Sequence, residues 1–114
     1  MRTIVALTGA SGSVYGIRLL KVLPGKKTVI VSDDAAAIAK EETGMGREDI
    51  EALGDEHHAN SDLAAPVSSG SVRFDAMVII PCSASTMSKI ACGIADNLIT
   101  RAASVALKER RRLV

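Results

Sequence analysis

Leu7-Thr8-Gly9-Ala10-Ser11-Gly12-Ser13-Val14-Tyr15-Gly16 is the stretch that decides the fold. It follows Ile4-Val5-Ala6-Leu7, an apolar run of buried-strand length, and leads into Val14, Ile17, Leu20 and Leu23 at helical spacing. The pattern is strand, glycine turn, helix. Such a turn leaves the first helical N–H groups without partners, aimed beyond the strand's carboxyl end, and its glycines let a ligand approach the backbone. The natural guest is an anion, most often a phosphate. One helix end contributes only about 0.3–1 kcal/mol through its dipole, so a site here needs further donors from elsewhere in the chain.

The 114 residues, 47% of them apolar, suffice for one globular domain over 1–114. The longest apolar run, Ala76 to Ile80, is far too short to span a bilayer, and the N-terminus lacks the apolar stretch of a secretory signal; a cytoplasmic protein is expected. Cys82 and Cys92 form no C-x-x-C pair and have no matching His cluster, which argues against a metal site or a disulfide framework. Both are expected to be reduced thiols packed as small apolar residues. Fourteen Lys+Arg against thirteen Asp+Glu give a net charge of +1, so bulk charge points neither to nucleic acid nor to an acidic membrane. Tyr15 and Phe74 are the whole aromatic inventory and alanine fills many apolar positions. Such a core is thin, and association with other copies is a plausible supplement.

Beyond Pro24-Gly25, Thr28 to Val31 predicts a second strand ending at Ser32-Asp33-Asp34. Ser32 or Asp33 caps a helix carrying Ala35, Ile38, Ala39 and Glu42 along one face until Thr43-Gly44. A short helix over 47–53 and a weak strand over 57–60 follow, with His57 and His58 expected as exposed loop residues. Ala64-Ala65-Pro66-Val67-Ser68-Ser69-Gly70 is a loop of small residues. The clearest strand, Ala76 to Ile80, ends at Pro81-Cys82-Ser83-Ala84-Ser85-Thr86; helix is predicted over 87–92, and Asp96 or Asn97 caps a last helix through Leu98, Ala102, Val105 and Leu107. Arg110 to Val114 reads as a helix end turning into another strand. Strands alternating with helices predict a three-layer α/β/α sandwich on a parallel, Rossmann-like (flavodoxin-like) sheet, with ligands bound beyond the carboxyl ends of the strands where strand order reverses.

Three strand ends then converge: Gly9 to Ser13, Ser32, and Ser83 to Thr86. They supply hydroxyls and backbone N–H groups with almost no positive charge. A hydrogen bond to a charged group is worth roughly 1.5–3 kcal/mol, so a few such donors hold a phosphate without lysine. Helix capping is the simpler role for Ser83, Ser85 or Thr86 taken singly. The glycine spacing is not a P-loop and differs from the commonest dinucleotide fingerprint. A nicotinamide-dependent reductase, with Asp33 on a ribose, is the rival, although Leu19 stands where the lysine of a Tyr-x-x-x-Lys pair would fall.

Thr8-Gly9-Ala10-Ser11-Gly12-Ser13-Val14-Tyr15-Gly16-Ile17-Arg18-Leu19-Leu20, Ala64 to Ser71, Pro81-Cys82-Ser83, and Gly93-Ile94-Ala95-Asp96-Asn97-Leu98-Ile99-Thr100-Arg101-Ala102-Ala103 to Leu107-Lys108-Glu109-Arg110-Arg111 together resemble the UbiX-type flavin prenyltransferases. The resemblance implies FMN as bound substrate and no metal, dimethylallyl phosphate as prenyl donor, transfer to N5 and C6 of the flavin, and release of prenylated FMN to a UbiD-type decarboxylase. It also implies a homo-oligomer, commonly a dodecamer. By the same resemblance Gly9, Ala10 and Ser11 line the flavin, with Ser11 near its reactive edge. Ser32, Ser83, Ala84, Ser85 and Thr86 hold its phosphate, Glu42 handles a proton, and Lys108 and Arg101 hold the prenyl phosphate. The arginines from 110 to 112 are expected as helix-end cations or subunit contacts. In the related flavin-dependent cysteine decarboxylases an asparagine stands at Ser85 and a catalytic His-Ile at Asp62-Leu63; both departures favour prenyl transfer. Asp33 stands where many relatives carry lysine, which is expected to weaken anion binding nearby. Family groups that follow the position of Val114 make the chain read as C-terminally incomplete, with an FMN-binding or assembly module without turnover as the alternative.

Overall fold

The computed structural model describes residues 1–114. In chain order its elements are β1 (Arg2–Leu7), α1 (Ser13–Val22), β2 (Lys26–Val31), α2 (Asp33–Thr43), α3 (Arg47–Glu51), β3 (Glu56–Ala59), β4 (Ala76–Ile79), α4 (Ala84–Cys92), α5 (Leu98–Lys108) and β5 (Arg112–Leu113). The strands form one sheet in the order β3-β2-β1-β4-β5, every pairing parallel. The α/β/α architecture is therefore the one the alternation predicted.

Side-chain alternation along β1 sets the layers. Val5 and Leu7 face α1 and α2, packing with Ile17, Leu20, Val31 and Ala39; Ile4 and Ala6 face the opposite side, where Phe74, Met77 and α5's Leu98, Ile99 and Ala102 form the larger core. Burying each Leu, Ile or Phe contributes about 1.5–3 kcal/mol, and both faces of β1 are sealed. Chain progress runs β1 to β2 to β3 toward one edge and β4 to β5 toward the other, so strand order reverses between β1 and β4. Thr8 clamps that seam: its N–H and hydroxyl both donate to Pro81 O (3.0 and 2.9 Å), and its Oγ1 accepts from Ser83 N–H (2.7 Å). The loops after β1 and β4 are thereby fixed side by side.

Several expectations need correcting. Helix α4 begins at Ala84 rather than 87, because Ser83 Oγ caps it by accepting from Thr86 N–H at 3.1 Å. Helix α3 ends at Glu51, short of the expected 53. His57 and His58 lie in a strand, not a loop: β3 pairs with β2, His57 opposite Val29 and His58 opposite Ile30. His57 is exposed, while His58 is half-buried with Nε2 sealed from solvent. Cys82 and Cys92 are free thiols, as expected, but exposed rather than packed: Cys82 lies in the loop after β4, and Cys92 ends α4, which buries none of its residues fully. Arg111 is more than a helix-end charge. Its guanidinium lies 4.5 Å from the centre of the Phe74 ring and donates to Gly70 O and Val72 O, both at 3.1 Å. That contact ties the loop before β4 to β5.

Candidate functional site

At the reversal point the carboxyl ends of β1, β2 and β4 open into a cleft of about 450 Å³ lined by Thr8, Gly9, Ser32, Asp33, Asp34, Asn60, Ser83, Ser85, Thr86, Lys89, Asn97 and Ile99. Three helix caps face it. Ser32 Oγ accepts from Ala35 N–H at 3.1 Å, Ser83 Oγ from Thr86 N–H at 3.1 Å, and Asn97 Oδ1 from Thr100 N–H at 2.9 Å. Each cap satisfies a donor in the first turn and leaves the earlier ones to be accounted for.

The three helices differ in this respect. Helix α5 is closed, because Leu98 N–H donates to Asn60 O (2.8 Å) and Ile99 N–H to Asn60 Oδ1 (2.9 Å). At α2 and α4, the N–H groups of Asp33, Asp34, Ala84 and Ser85 have no acceptor. Two helix N-termini, each with the positive end of its dipole and two free donors, thus point into one cleft, which is the electrostatic requirement of an anion site. Gly9 forms the floor. A Cβ there would lie 2.7 Å from Asp34 Cβ, so only glycine lets the turn after β1 pass the start of α2. Asp33, expected to oppose an anion, is taken up by Arg47, whose Nη2 bonds Asp33 Oδ1 at 2.7 Å while Nη1 donates to Val31 O. The pair is solvent-exposed, the Asp33 side chain fully so, and pairs of this kind contribute little.

The N-terminus of α1 is not open to a ligand in the way the glycine turn suggested. Glu42, from the end of α2, fills it: Oε2 accepts from Ser11 Oγ at 2.8 Å, and Oε1 from the N–H groups of Ser13 (3.1 Å) and Gly12 (3.2 Å). The chain's own carboxylate takes the place of an external anion. Ser13 N–H above all, then the Ser11 hydroxyl, hold the Glu42 carboxyl below its ordinary value of 4.5. A depressed folded value contributes stability that is complete above pH 4.5 and is lost as pH falls through the lowered value. The melting temperature of Glu42→Gln is therefore expected to lie below that of the parent at neutral pH, with the gap closing under acid; a gap that stays constant with pH would show that the clamp carries no such charge dependence.

These elements belong to a known sequence class. The family described as Flavoprotein matches residues 1–114. The chain belongs to the flavoprotein family. Among its relatives, the flavin prenyltransferase UbiX of Thermoplasma acidophilum is 49% identical over 115 residues, covering 100% of this chain and 64% of that protein. The UbiX of Methanocaldococcus jannaschii is 46% identical over 116 residues, covering 100% and 63%. In structure, AnUbiX in complex with FMN and dimethylallyl pyrophosphate superposes with a TM-score of 0.96 at 45% identity, over 98% of this chain and 61% of that one. A dodecameric FMN-dependent UbiX-like decarboxylase from Escherichia coli O157:H7 gives 0.96 at 42% identity, over 99% and 64%. The chain spans a little under two thirds of the length of these relatives.

Within this flavoprotein the expected site residues fall into three groups. Gly9, Ser32, Ser83, Ser85 and Thr86 line the cleft, whereas Ala84, the first residue of α4, does not. Ser11 and Glu42 meet at the start of α1, next to Ala10 on the turn. Arg101 and Lys108 share a small groove of about 220 Å³ with Ser68, Ala95, Ser104 and Val105. There Arg101 Nη2 donates to Ala95 O (3.3 Å) while its Nε is buried without a partner, and Lys108 Nζ lies 3.7 Å from Glu109 Oε1. Neither cation lines the cleft. At about 1.5 Å per residue, Lys108 sits roughly 16 Å along α5 from Asn97, which does line it. Asn60, Asp34 and Lys89 are cleft residues that pattern reasoning did not single out; only the position of Asn60 at a strand's carboxyl end hinted at it.

Proposed function

We propose that this chain binds FMN, with the flavin's phosphate in the α2/α4 cleft, and forms the flavin-binding part of a flavin prenyltransferase. The donor set fits a phosphate ester: Asp33, Asp34 and Ser85, whose N–H groups have no acceptor, line one cleft together with Gly9. That convergence carries the proposal. It is supported by the relatives called flavin prenyltransferase UbiX and by the FMN and dimethylallyl pyrophosphate in the AnUbiX complex. When bound in its reduced, dihydro form, FMN would supply N5 and C6 as nucleophiles toward the dimethylallyl group of dimethylallyl phosphate, with inorganic phosphate leaving, and the product would serve a UbiD-type decarboxylase.

The chain's own residues have distinct tasks in this scheme. The Ser11 proton is committed to Glu42 Oε2, which leaves the Ser11 oxygen's lone pairs directed outward as an acceptor. A proton arriving at Ser11 Oγ can pass on to Glu42 Oε2, whose lowered proton affinity makes it hand the proton on rather than keep it, so the pair is a relay of the general acid–base kind. Cations are needed where phosphate departs, and Arg101 and Lys108 provide them on α5. Because they stand apart from the cleft, we place them toward a cleft of another copy of the chain. Self-assembly of this kind accords with the dodecameric relative.

The phosphate assignment is tested by Ser83→Ala. Losing the cap oxygen that accepts from Thr86 N–H and donates to Thr86 Oγ1 (2.8 Å) loosens the first turn of α4 by about 1 kcal/mol. A weakening of FMN binding of roughly fivefold to tenfold is expected in a fluorescence titration. Unchanged affinity would remove α4 from the site.

A further inference from the structure

Lys89 is the only cationic side chain that lines the α2/α4 cleft. It lies one turn into α4 from Thr86, on the face that Ser85 and Thr86 begin, and its side chain is 33% exposed. Its Nζ is held by both carboxylate oxygens of Asp96, at 3.2 and 3.1 Å. Asp96 directly precedes Asn97, whose side chain caps α5 at the same cleft. The charge balance of the site gives this pair a meaning. A phosphate monoester carries about −1.5 to −2 at neutral pH. Two helix N-termini offer roughly +0.5 each, and Asp34 on the cleft wall subtracts from that. Arg47 is already engaged with Asp33. Lys89 is the one cation within the cleft, and its ammonium, with three donors, has to be shared between Asp96 and the phosphate to supply the remaining compensation.

We propose that Lys89 is the residue that selects a phosphorylated flavin over the unphosphorylated one, with Asp96 holding its ammonium at the cleft wall and competing with the ligand for it. This rests on the flavin-phosphate reading above and adds to it a specificity residue and its competitor. Lys89 acts on the phosphate alone, so it has no influence on the isoalloxazine.

The test is a pair of fluorescence titrations, with FMN and with riboflavin, on the parent chain, Lys89→Met and Asp96→Asn. The methionine keeps the aliphatic stem and removes the charge. The parent is expected to prefer FMN. Lys89→Met should raise the FMN Kd about tenfold while leaving the riboflavin Kd unchanged, and should weaken the dependence of FMN affinity on salt. Asp96→Asn, which retains Lys89 and frees it, should tighten FMN and leave riboflavin as before. If Lys89→Met binds FMN as the parent does, or loses both flavins equally, Lys89 is not the selecting group and the inference falls while the cleft assignment stands. If Lys89→Met fails to fold, Asp96→Asn decides: tighter FMN supports the inference, unchanged or weaker FMN overturns it. A parent chain that binds both flavins alike, or neither, removes the phosphate cleft itself, and this inference with it.

Discussion

Gly16→Ala is expected to destabilise the chain by about 1–2 kcal/mol net, although alanine is the better helix former. Gly16 lies inside α1, where the exchange alone is worth about 1 kcal/mol in favour of alanine. Packing reverses the sign. A Cβ at this position would stand 2.3 Å from the carbonyl oxygen of Ile80 and 3.1 Å from Cγ and Cδ2 of Leu7. The carbonyl belongs to the backbone at the end of β4, beside the residues that Thr8 clamps, so it cannot swing aside as a side chain would. Helix α1 must lift from the sheet, and overpacking of this kind costs about 1–3 kcal/mol, occasionally more. A fall in melting temperature of about 5–15 °C follows for a domain near this size. A variant that melts at or above the parent temperature would mean that α1 does not approach the β4 loop this closely. The same displacement would carry Ser11 away from Glu42, so loss of stability and of site geometry go together.

The second large effect is expected from Glu42→Gln in prenyl transfer. Glutamine matches glutamate in shape, and its carbonyl oxygen can still accept from the N–H groups of Gly12 and Ser13. Its NH2 then faces Ser11 Oγ and donates where Oε2 formerly accepted. The serine hydrogen is forced to another direction, and the relay loses its terminal acceptor. Turnover of dimethylallyl phosphate should drop by about 10²–10⁴-fold, the usual worth of a positioned acid–base group. FMN affinity should hold, because the phosphate cleft is built from α2 and α4 starts that Glu42 does not touch. Turnover at the parent rate would reduce Glu42 to a cap on α1.

How far the sequence reaches follows from the range of the interactions concerned. The β1–turn–α1 unit and β4 were legible because each couples a dense apolar run to adjacent turn or cap residues. The edge strand β3, Glu56-His57-His58-Ala59, has no such run; its pairing with β2 alone makes it a strand. The start of α4 was hidden for a related reason. Ala84, Ser85 and Thr86 carry no apolar periodicity, and the helix there depends on one serine side chain. The convergence of Gly9, Ser32 and Ser83 was visible once parallel strands were assumed, since all three follow strand ends. Contacts across 30 or more residues were not: Glu42 on Gly12, Asn60 Oδ1 on Ile99, and Arg111 on Val72 leave no local pattern. Glu42 was reached only through family resemblance, which named the residue but not the helix end it closes. The placement of Arg101 and Lys108 in a groove of their own is likewise a property of packing, since spacing along α5 says how far apart they lie but not which cavity their face lines.

Uptake of FMN by the purified 114-residue chain, followed by absorbance and native mass, tests the central claim most directly. A yellow protein carrying one FMN per chain, or taking up that amount when FMN is added, is the predicted result. A colourless protein that takes up no added FMN would contradict the assignment of the α2/α4 cleft as a flavin-phosphate site.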